Sequence, residues 1–390
     1  MHHPPTLIYM MFLIFTGTAI LATIALFTRQ SLLVAYMALG ALLGPWGLKL
    51  IKDSMAIKQT GDIGIIFLLF LLGLDLQPQS LWHSLRKMSW IALVSSLLFF
   101  IVGFIISYLF GFKLGECVVI GIAMMFSSTI IGLKLLPTTV LHHQRMGGLM
   151  ISVLLLQDLI AIGVLLAIQG IGDREFSFND IGFIISAFPV LFFTAYIFQR
   201  FLLSRLLKLF DTIHEYIFIL SIGWCLCMAE LSYLMGLTEE IGAFIAGVAL
   251  ATNPISLYIA ENLKPLRDFF LVIFFFSLGA RFNFGYLPTV ILPAASIAIA
   301  MLLFKPTVFG WLLRKTGEKK ATSWEIGVRL GQTSEFSLLV IYLAMQAKLV
   351  QPAANYMVQA ATILTFIVSC YWVVMRYPTP LAASDKLRRD

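Results

Sequence analysis

Charge is what this sequence lacks. Only 12% of its 390 residues are Asp, Glu, Lys or Arg, about half of the ~25% found in an ordinary soluble domain. With 60% hydrophobic residues and a mean hydropathy of +0.94, the chain reads as an all-α polytopic membrane protein embedded in a lipid bilayer. Histidine is scarce as well, and all six (His2, His3, His83, His142, His143, His214) fall in loops or termini. No histidine base therefore stands at membrane depth beside Ser127 or Ser128, which argues against an embedded hydrolase; the chain is expected not to be an enzyme. The four cysteines, Cys117, Cys225, Cys227 and Cys370, show neither zinc spacing nor a disulfide framework. They are expected to be small buried hydrophobes. No cofactor is implied.

A net charge of +7 could point to nucleic acid, but the distribution of the basic residues excludes that partner. They gather in alternate loops: Arg86 and Lys87; Arg200, Arg205 and Lys208; Arg314, Lys315, Lys319 and Lys320; then Arg376, Lys386, Arg388 and Arg389. That asymmetry is the positive-inside pattern, and it predicts an outside N-terminus and a cytoplasmic C-terminus. Thirteen apolar stretches supply the spans: 7–27, 32–49, 61–75, 89–110, 115–136, 147–169, 181–204, 215–235, 239–251, 266–281, 287–312, 323–346 and 353–375. The first follows Met1-His2-His3-Pro4-Pro5 with no basic lead, so it is expected to be a retained span rather than a cleaved signal.

An odd span count gives the first six and the last six opposite orientations. The expected organisation is a first inverted repeat over 1–169, a linker span over 170–212, a second repeat over 213–376 and a cytosolic tail over 377–390. Two polar interruptions occupy matching places. Span five breaks at Phe126-Ser127-Ser128-Thr129, and span twelve at Gly331-Gln332-Thr333-Ser334-Glu335. Paired breaks of this kind are the best sequence pointer to a transporter's binding site.

Asp158 is the third element. It sits inside the apolar stretch from Gly147 to Gln169, roughly 16 Å from either end at ~1.5 Å per helical residue. A charge at the midplane costs ~3 kcal/mol or more and must face a partner, water or an ion. One carboxylate, the hydroxyls of Ser127, Ser128 and Thr129, the amide of Gln157 and freed backbone carbonyls suit a hard cation, K+ or Na+, bound at Asp158. A proton competes for the same carboxylate, and exclusive occupancy by one or the other is sufficient for antiport. Gln332, Thr333, Ser334, Glu335, Arg329 and Lys305 are candidates to support the site, the charged ones by balancing the half-helix dipoles. Lys305 has a second reading, since it is close enough to the inner end of its span to snorkel.

At these residues the chain resembles the second monovalent cation:proton antiporter family, in particular the membrane domains of Kef-type potassium efflux systems. The matching segments are Leu39-Gly40-Ala41-Leu42-Leu43-Gly44-Pro45 and Leu69-Phe70-Leu71-Leu72-Gly73-Leu74-Asp75, then Ser127-Ser128-Thr129 and Gln157-Asp158. Gly242-Ala243-Phe244-Ile245-Ala246-Gly247, Phe275-Phe276-Ser277-Leu278-Gly279 and Gly331-Gln332-Thr333-Ser334-Glu335-Phe336 follow in the family's order.

The resemblance implies the sodium/proton antiporter fold, with two crossed discontinuous helices and a dimerisation domain beside a core domain, and so a homodimer in the bacterial inner membrane. It implies that Asp158 takes cation or proton, that Gln157 marks the potassium type, and that Lys305 matches a family lysine. K+/H+ exchange is then expected, with Na+/H+ exchange as the alternative and a channel-like K+ pathway further off. Two departures stand out. Kef systems carry a regulatory nucleotide-binding domain after the last span, whereas about 15 residues follow Met375 here; a naturally short chain, a separate cytosolic regulatory subunit and a truncated sequence all fit. The loop before span ten (Ser256 to Pro265) also lacks the acidic motif of the glutathione-gated members.

Overall fold

The computed structural model describes residues 7–51, 54–75, 78–136, 145–171, 189–210, 213–253 and 256–379. Fifteen helices run through them: α1 Leu7–Phe27, α2 Leu32–Leu43, α3 Ser54–Asp75, α4 Pro78–Leu109, α5 Leu114–Met124, α6 Thr129–Lys134, α7 Arg145–Ile171, α8 Pro189–Leu209, α9 His214–Leu234, α10 Glu239–Ala251, α11 Ser256–Ala280, α12 Leu287–Lys315, α13 Lys320–Arg329, α14 Glu335–Gln346 and α15 Pro352–Arg376. Seven of them are long and apolar enough to cross a membrane. Helix occupies each of the thirteen expected spans. The opening of the seventh (181–188) and most of the tail (380–390) lie outside the described residues.

Several ends differ from expectation for visible reasons. α2 stops at Leu43 rather than residue 49, because Pro45 denies the next turn a main-chain donor. α4 and α11 begin about ten residues before their apolar stretches, since polar turns can extend a helix beyond hydrocarbon without losing its backbone bonds. α8 widens into a π-helical turn at Gln199–Leu203, where Gln199 Nε2 and Asn253 Nδ2 both donate to Ser204 Oγ at 3.2 and 3.0 Å.

The chain forms two compact units, each assembled from both halves of the sequence. One takes Met1–Ala19, Tyr36–Leu81 and Arg174–Arg281; the other takes Ile20–Ala35, Trp82–Asp173 and Phe282–Asp390. In the first unit α3 packs along α10 and α11, and α9 along α10. The glycines of the family-like segments explain how closely these helices approach. A Cβ on Gly247 would stand 2.0 Å from the oxygen of Phe70, and one on Gly73 2.5 Å from that of Phe244. No side chain fits at that crossing, so backbone meets backbone, as in small-residue packing of membrane helices. Gly279 and Gly40 repeat the device where α11 crosses α2, with Cβ positions 2.0 Å from the oxygens of Met37 and Phe276.

In the second unit α12 packs on α13 and α15, while α14 lies against α5, α7 and α15. The two discontinuous helices belong here. α5 and α6 flank a non-helical stretch at 125–128, and α13 and α14 flank another at 330–334. Both interruptions fall where the sequence puts them.

Candidate ion-binding site

A broken helix frees N–H and C=O groups that cannot be left bare in hydrocarbon. Here side chains cover them. Ser337 of α14 donates to the oxygen of Ala123. Gln157 of α7 handles the next groups: its Nε2 donates to Met125 O at 3.3 Å, and its Oε1 accepts from Ser127 N at 3.1 Å. Lys305 of α12 donates to Phe126 O, and Gln332 Nε2 reaches Ser128 O at 3.4 Å. Ser128 Oγ accepts from Ile131 N at 3.1 Å, capping α6.

The second break is closed the same way. Lys305 Nζ donates to Gln332 O at 3.2 Å. Thr365 of α15 accepts from Thr333 N at 3.2 Å and shares a 2.7 Å hydroxyl bond with Thr333. Ser369 donates to Gln332 Oε1 at 2.9 Å. Ser334 caps α14, accepting from Phe336 N at 3.1 Å, and its own N–H donates to Ser337 Oγ at 3.2 Å. The two breaks are therefore bolted to each other and to α7, α12 and α15.

Asp158 sits against this lattice. It is buried, with 7% of its surface exposed. Thr129 Oγ1 donates to its Oδ2 at 3.0 Å and lies 3.3 Å from Oδ1. Among the described residues no cation comes within salt-bridge distance of it; Arg267–Asp268 and Arg329–Glu325 are ion pairs elsewhere. Glu335, in the first turn of α14, is buried as well. The arrangement offers a positive ion carboxylate and hydroxyl oxygens in a water-poor setting, the hard ligands an alkali cation accepts. No group of three or more His, Cys, Asp or Glu that could hold a resident metal occurs among the described residues.

The candidates divide by position. Asp158 and Thr129 meet directly. Gln157, Ser128, Gln332, Thr333 and Ser334 secure the broken backbone around them, and Ser127 Oγ lies 3.5 Å from Lys305 Nζ. Lys305 does not snorkel: it is fully buried, with the Phe99 ring 5.0 Å from its ammonium. Its partners are backbone carbonyls of the two non-helical breaks, Phe126 O and Gln332 O. Arg329 is held elsewhere. Its guanidinium donates to Leu135 O at 2.8 Å, Pro378 O at 2.9 Å and Glu325 Oε1 at 2.8 Å, so it ties down helix ends rather than facing the carboxylate. The side chain of Lys134 lies outside the described residues.

Thr365, Ser369 and Ser337 were not among the sequence candidates. A signal existed, since polar residues recur on one face of the otherwise apolar α15. Of the cysteines, Cys117, Cys225 and Cys370 are buried as expected, but Cys227 is exposed. Two residues from Cys225, it takes a different face of α9.

An all-helical fold with two interlocked broken helices and a buried carboxylate bonded to one of them is the architecture of the antiporter class of secondary transporters. The family described as "Sodium/hydrogen exchanger, transmembrane" matches residues 12–375, and the chain belongs to it; the family is one of transporters, not enzymes. Within it the chain is Kef-like. It is 27% identical over 348 residues to K(+) efflux antiporter 6 of Arabidopsis thaliana, covering 87% of this chain and 58% of that protein. It is 28% identical over 344 residues to the glutathione-regulated potassium-efflux system protein KefC of Klebsiella pneumoniae, covering 86% and 55%. The chain thus spans little more than half the length of these relatives. Among solved structures, the sodium proton antiporter MjNhaP1 of Methanocaldococcus jannaschii at pH 8 superimposes with a TM-score of 0.66 at 17% identity, over 92% of this chain and 94% of that one. A second structure of that antiporter gives 0.60 at 16% identity. These establish the sodium/proton antiporter fold.

Proposed function

We propose that the protein exchanges a monovalent cation, K+ first, for H+ at Asp158 by alternating access. The observation that carries this reading is the state of Asp158 itself. It is a buried carboxylate beside two broken helices, bonded by the Thr129 hydroxyl, with no ion pair among the described residues. A carboxylate so placed needs a positive occupant, and proton and cation exclude each other. K+ is favoured by the names of both curated relatives and by Gln157, a neutral residue beside the aspartate. Na+/H+ exchange is the second reading, favoured by the family description and by the sodium antiporter whose fold the chain shares.

Alternating access requires the unit that holds every candidate residue to reorient across the membrane as a body, in an elevator-like or rocking displacement. The inverted repeats over 1–169 and 213–376, the outside N-terminus, the homodimer, a separate cytosolic regulatory subunit and the bacterial inner membrane belong to the same proposal. The resemblance and the loop charges support them. Inverted membrane vesicles carrying the protein test the core claim. Added K+ should dissipate an imposed pH gradient, and Asp158→Asn should not support it. Dissipation by Na+ but not K+ would move the assignment to the second reading; single-channel currents without coupled H+ movement would overturn antiport.

A further inference from the structure

Five polar residues stand on α15 at Asn355, Gln359, Thr362, Thr365 and Ser369. Steps of three and four residues keep them on one helical face. All are buried, none more than 3% exposed. Thr365 and Ser369 have been accounted for at the second helix break. The other end of the stripe has not. Gln359 Nε2 donates to Asn355 Oδ1 at 3.0 Å, but Gln359 Oε1 and Thr362 Oγ1 have no hydrogen-bond partner among the described residues. These two side chains stand three residues apart, with Cβ atoms roughly 5–6 Å from one another along the helix surface. One water between them would satisfy both, and buried polar atoms normally recruit such water.

The stripe also has two ends. At one, Gln351 is exposed, and its N–H donates at 2.9 Å to Oε1 of Glu116, a carboxylate 6% exposed at the start of α5. At the other, Thr362 gives way after one turn to Thr365, which bonds Thr333 in the break two residues before Glu335. Asn355 to Thr365 spans about 15 Å at ~1.5 Å per residue, which about five hydrogen-bonded links of ~2.8 Å would cover.

We propose that Asn355, Gln359 and Thr362 hold a file of internal waters that joins the exposed end of α15 to the break at Thr333, and that this file conducts protons to the carboxylate site. The occupant is water rather than an alkali cation, because Asn355, Gln359 and Thr362 are neutral and supply no charge to balance a cation taken out of water. Each water accepts a proton from one neighbour as it releases one to the next, so an O–H bond breaks for every one that forms. The net change is one proton moved from bulk water to a carboxylate, Glu335 or Asp158. Threonine hydroxyls can accept and donate in turn; the Gln359 carbonyl can only orient a water. The conducting role rests on the exchange reading above, whereas the file itself does not.

Cysteine accessibility separates the two. In a protein whose four native cysteines are replaced, Gln359→Cys and Thr362→Cys should react with a small water-soluble methanethiosulfonate applied to both membrane faces. Ala361→Cys, buried but off the stripe, should not. Reaction at Gln351→Cys with none at either stripe position would overturn the file. For conduction, the double variant Gln359→Leu with Thr362→Val should slow exchange about tenfold with the cation KM unchanged, a loss of rate without loss of binding. Thr362→Ser should restore it. A double variant that exchanges at the full rate would overturn the proton role. Labelled stripe cysteines in a protein that exchanges nothing would sustain the file and sink the exchange reading instead.

Discussion

The ammonium of Lys305 lies 3.2 Å from the main-chain oxygen of Gln332 and donates at the same time to the oxygen of Phe126. One side chain on a continuous helix thus bonds freed carbonyls in both helix breaks. A buried charge is costly unless it is well bonded, and two accepting carbonyls offset more of that cost than one would. The lysine and the breaks stabilise each other.

Removing the ammonium should therefore be felt in the fold. Lys305→Met keeps the volume and strips both carbonyls of a donor, at ~1–3 kcal/mol for each buried group left bare. Thermal melting of the purified protein in detergent should show a drop of several degrees. An unchanged midpoint would mean that water reaches both carbonyls and that the bolt is dispensable.

Asp158→Asn separates site from scaffold. The amide keeps an oxygen for Thr129 Oγ1, so the change in stability should stay within ~1 kcal/mol. Exchange should vanish, because a neutral amide can neither release a proton nor balance a cation. Retained exchange in vesicles would place the ion elsewhere, with Glu335 the first residue to examine.

Gln157 faces a sharper demand, since it must accept from Ser127 N and donate to Met125 O together. Gln157→Leu satisfies neither and should cost ~2–6 kcal/mol, twice the cost of one bare buried group. Gln157→Glu keeps the acceptor and loses the donor while it is ionised, then regains a donor on protonation. Its melting temperature should rise as the pH is lowered, whereas that of Gln157→Leu should not follow pH in this way. Parallel pH profiles for the two variants would rule out the clamp.

These contrasts mark what the sequence could reveal. The thirteen apolar stretches, both interruptions and the carboxylate beside one of them are one-dimensional facts, read from run length and from polar residues out of place. The role of Lys305 is not of that kind. Its position near a span end suits snorkelling equally well, and only the crossing of α5 and α13 beside α12 shows that it is buried. Arg329 misleads for the converse reason: it is close in sequence to Gln332, yet it stands at the end of α13, before the break, and its guanidinium bonds Leu135 and Pro378. Thr365 and Ser369 bond residues more than thirty positions away, a distance that periodicity within one helix cannot bridge.

Arg329 gives the last prediction. It is 1% exposed and joins three pieces of chain: its own helix through Glu325, the end of α6 through Leu135 O, and the segment after α15 through Pro378 O. The Tyr377 ring lies 5.5 Å from its guanidinium. Only a planar group with several fixed donors can serve all of these, so Arg329→Lys should rescue little. Arg329→Met should cost about 3 kcal/mol, the lower end for removing one partner of a buried pair, because Glu325 is 23% exposed and partly hydrated. Glu325→Gln should cost under ~1 kcal/mol, since it leaves the two carbonyl bonds in place. Limited proteolysis adds a local readout. The segment around Tyr377 and Pro378 should be cut faster in Arg329→Met than in Glu325→Gln at temperatures where both remain folded. Equal cutting rates would show that the guanidinium does not hold the segment at Tyr377 and Pro378.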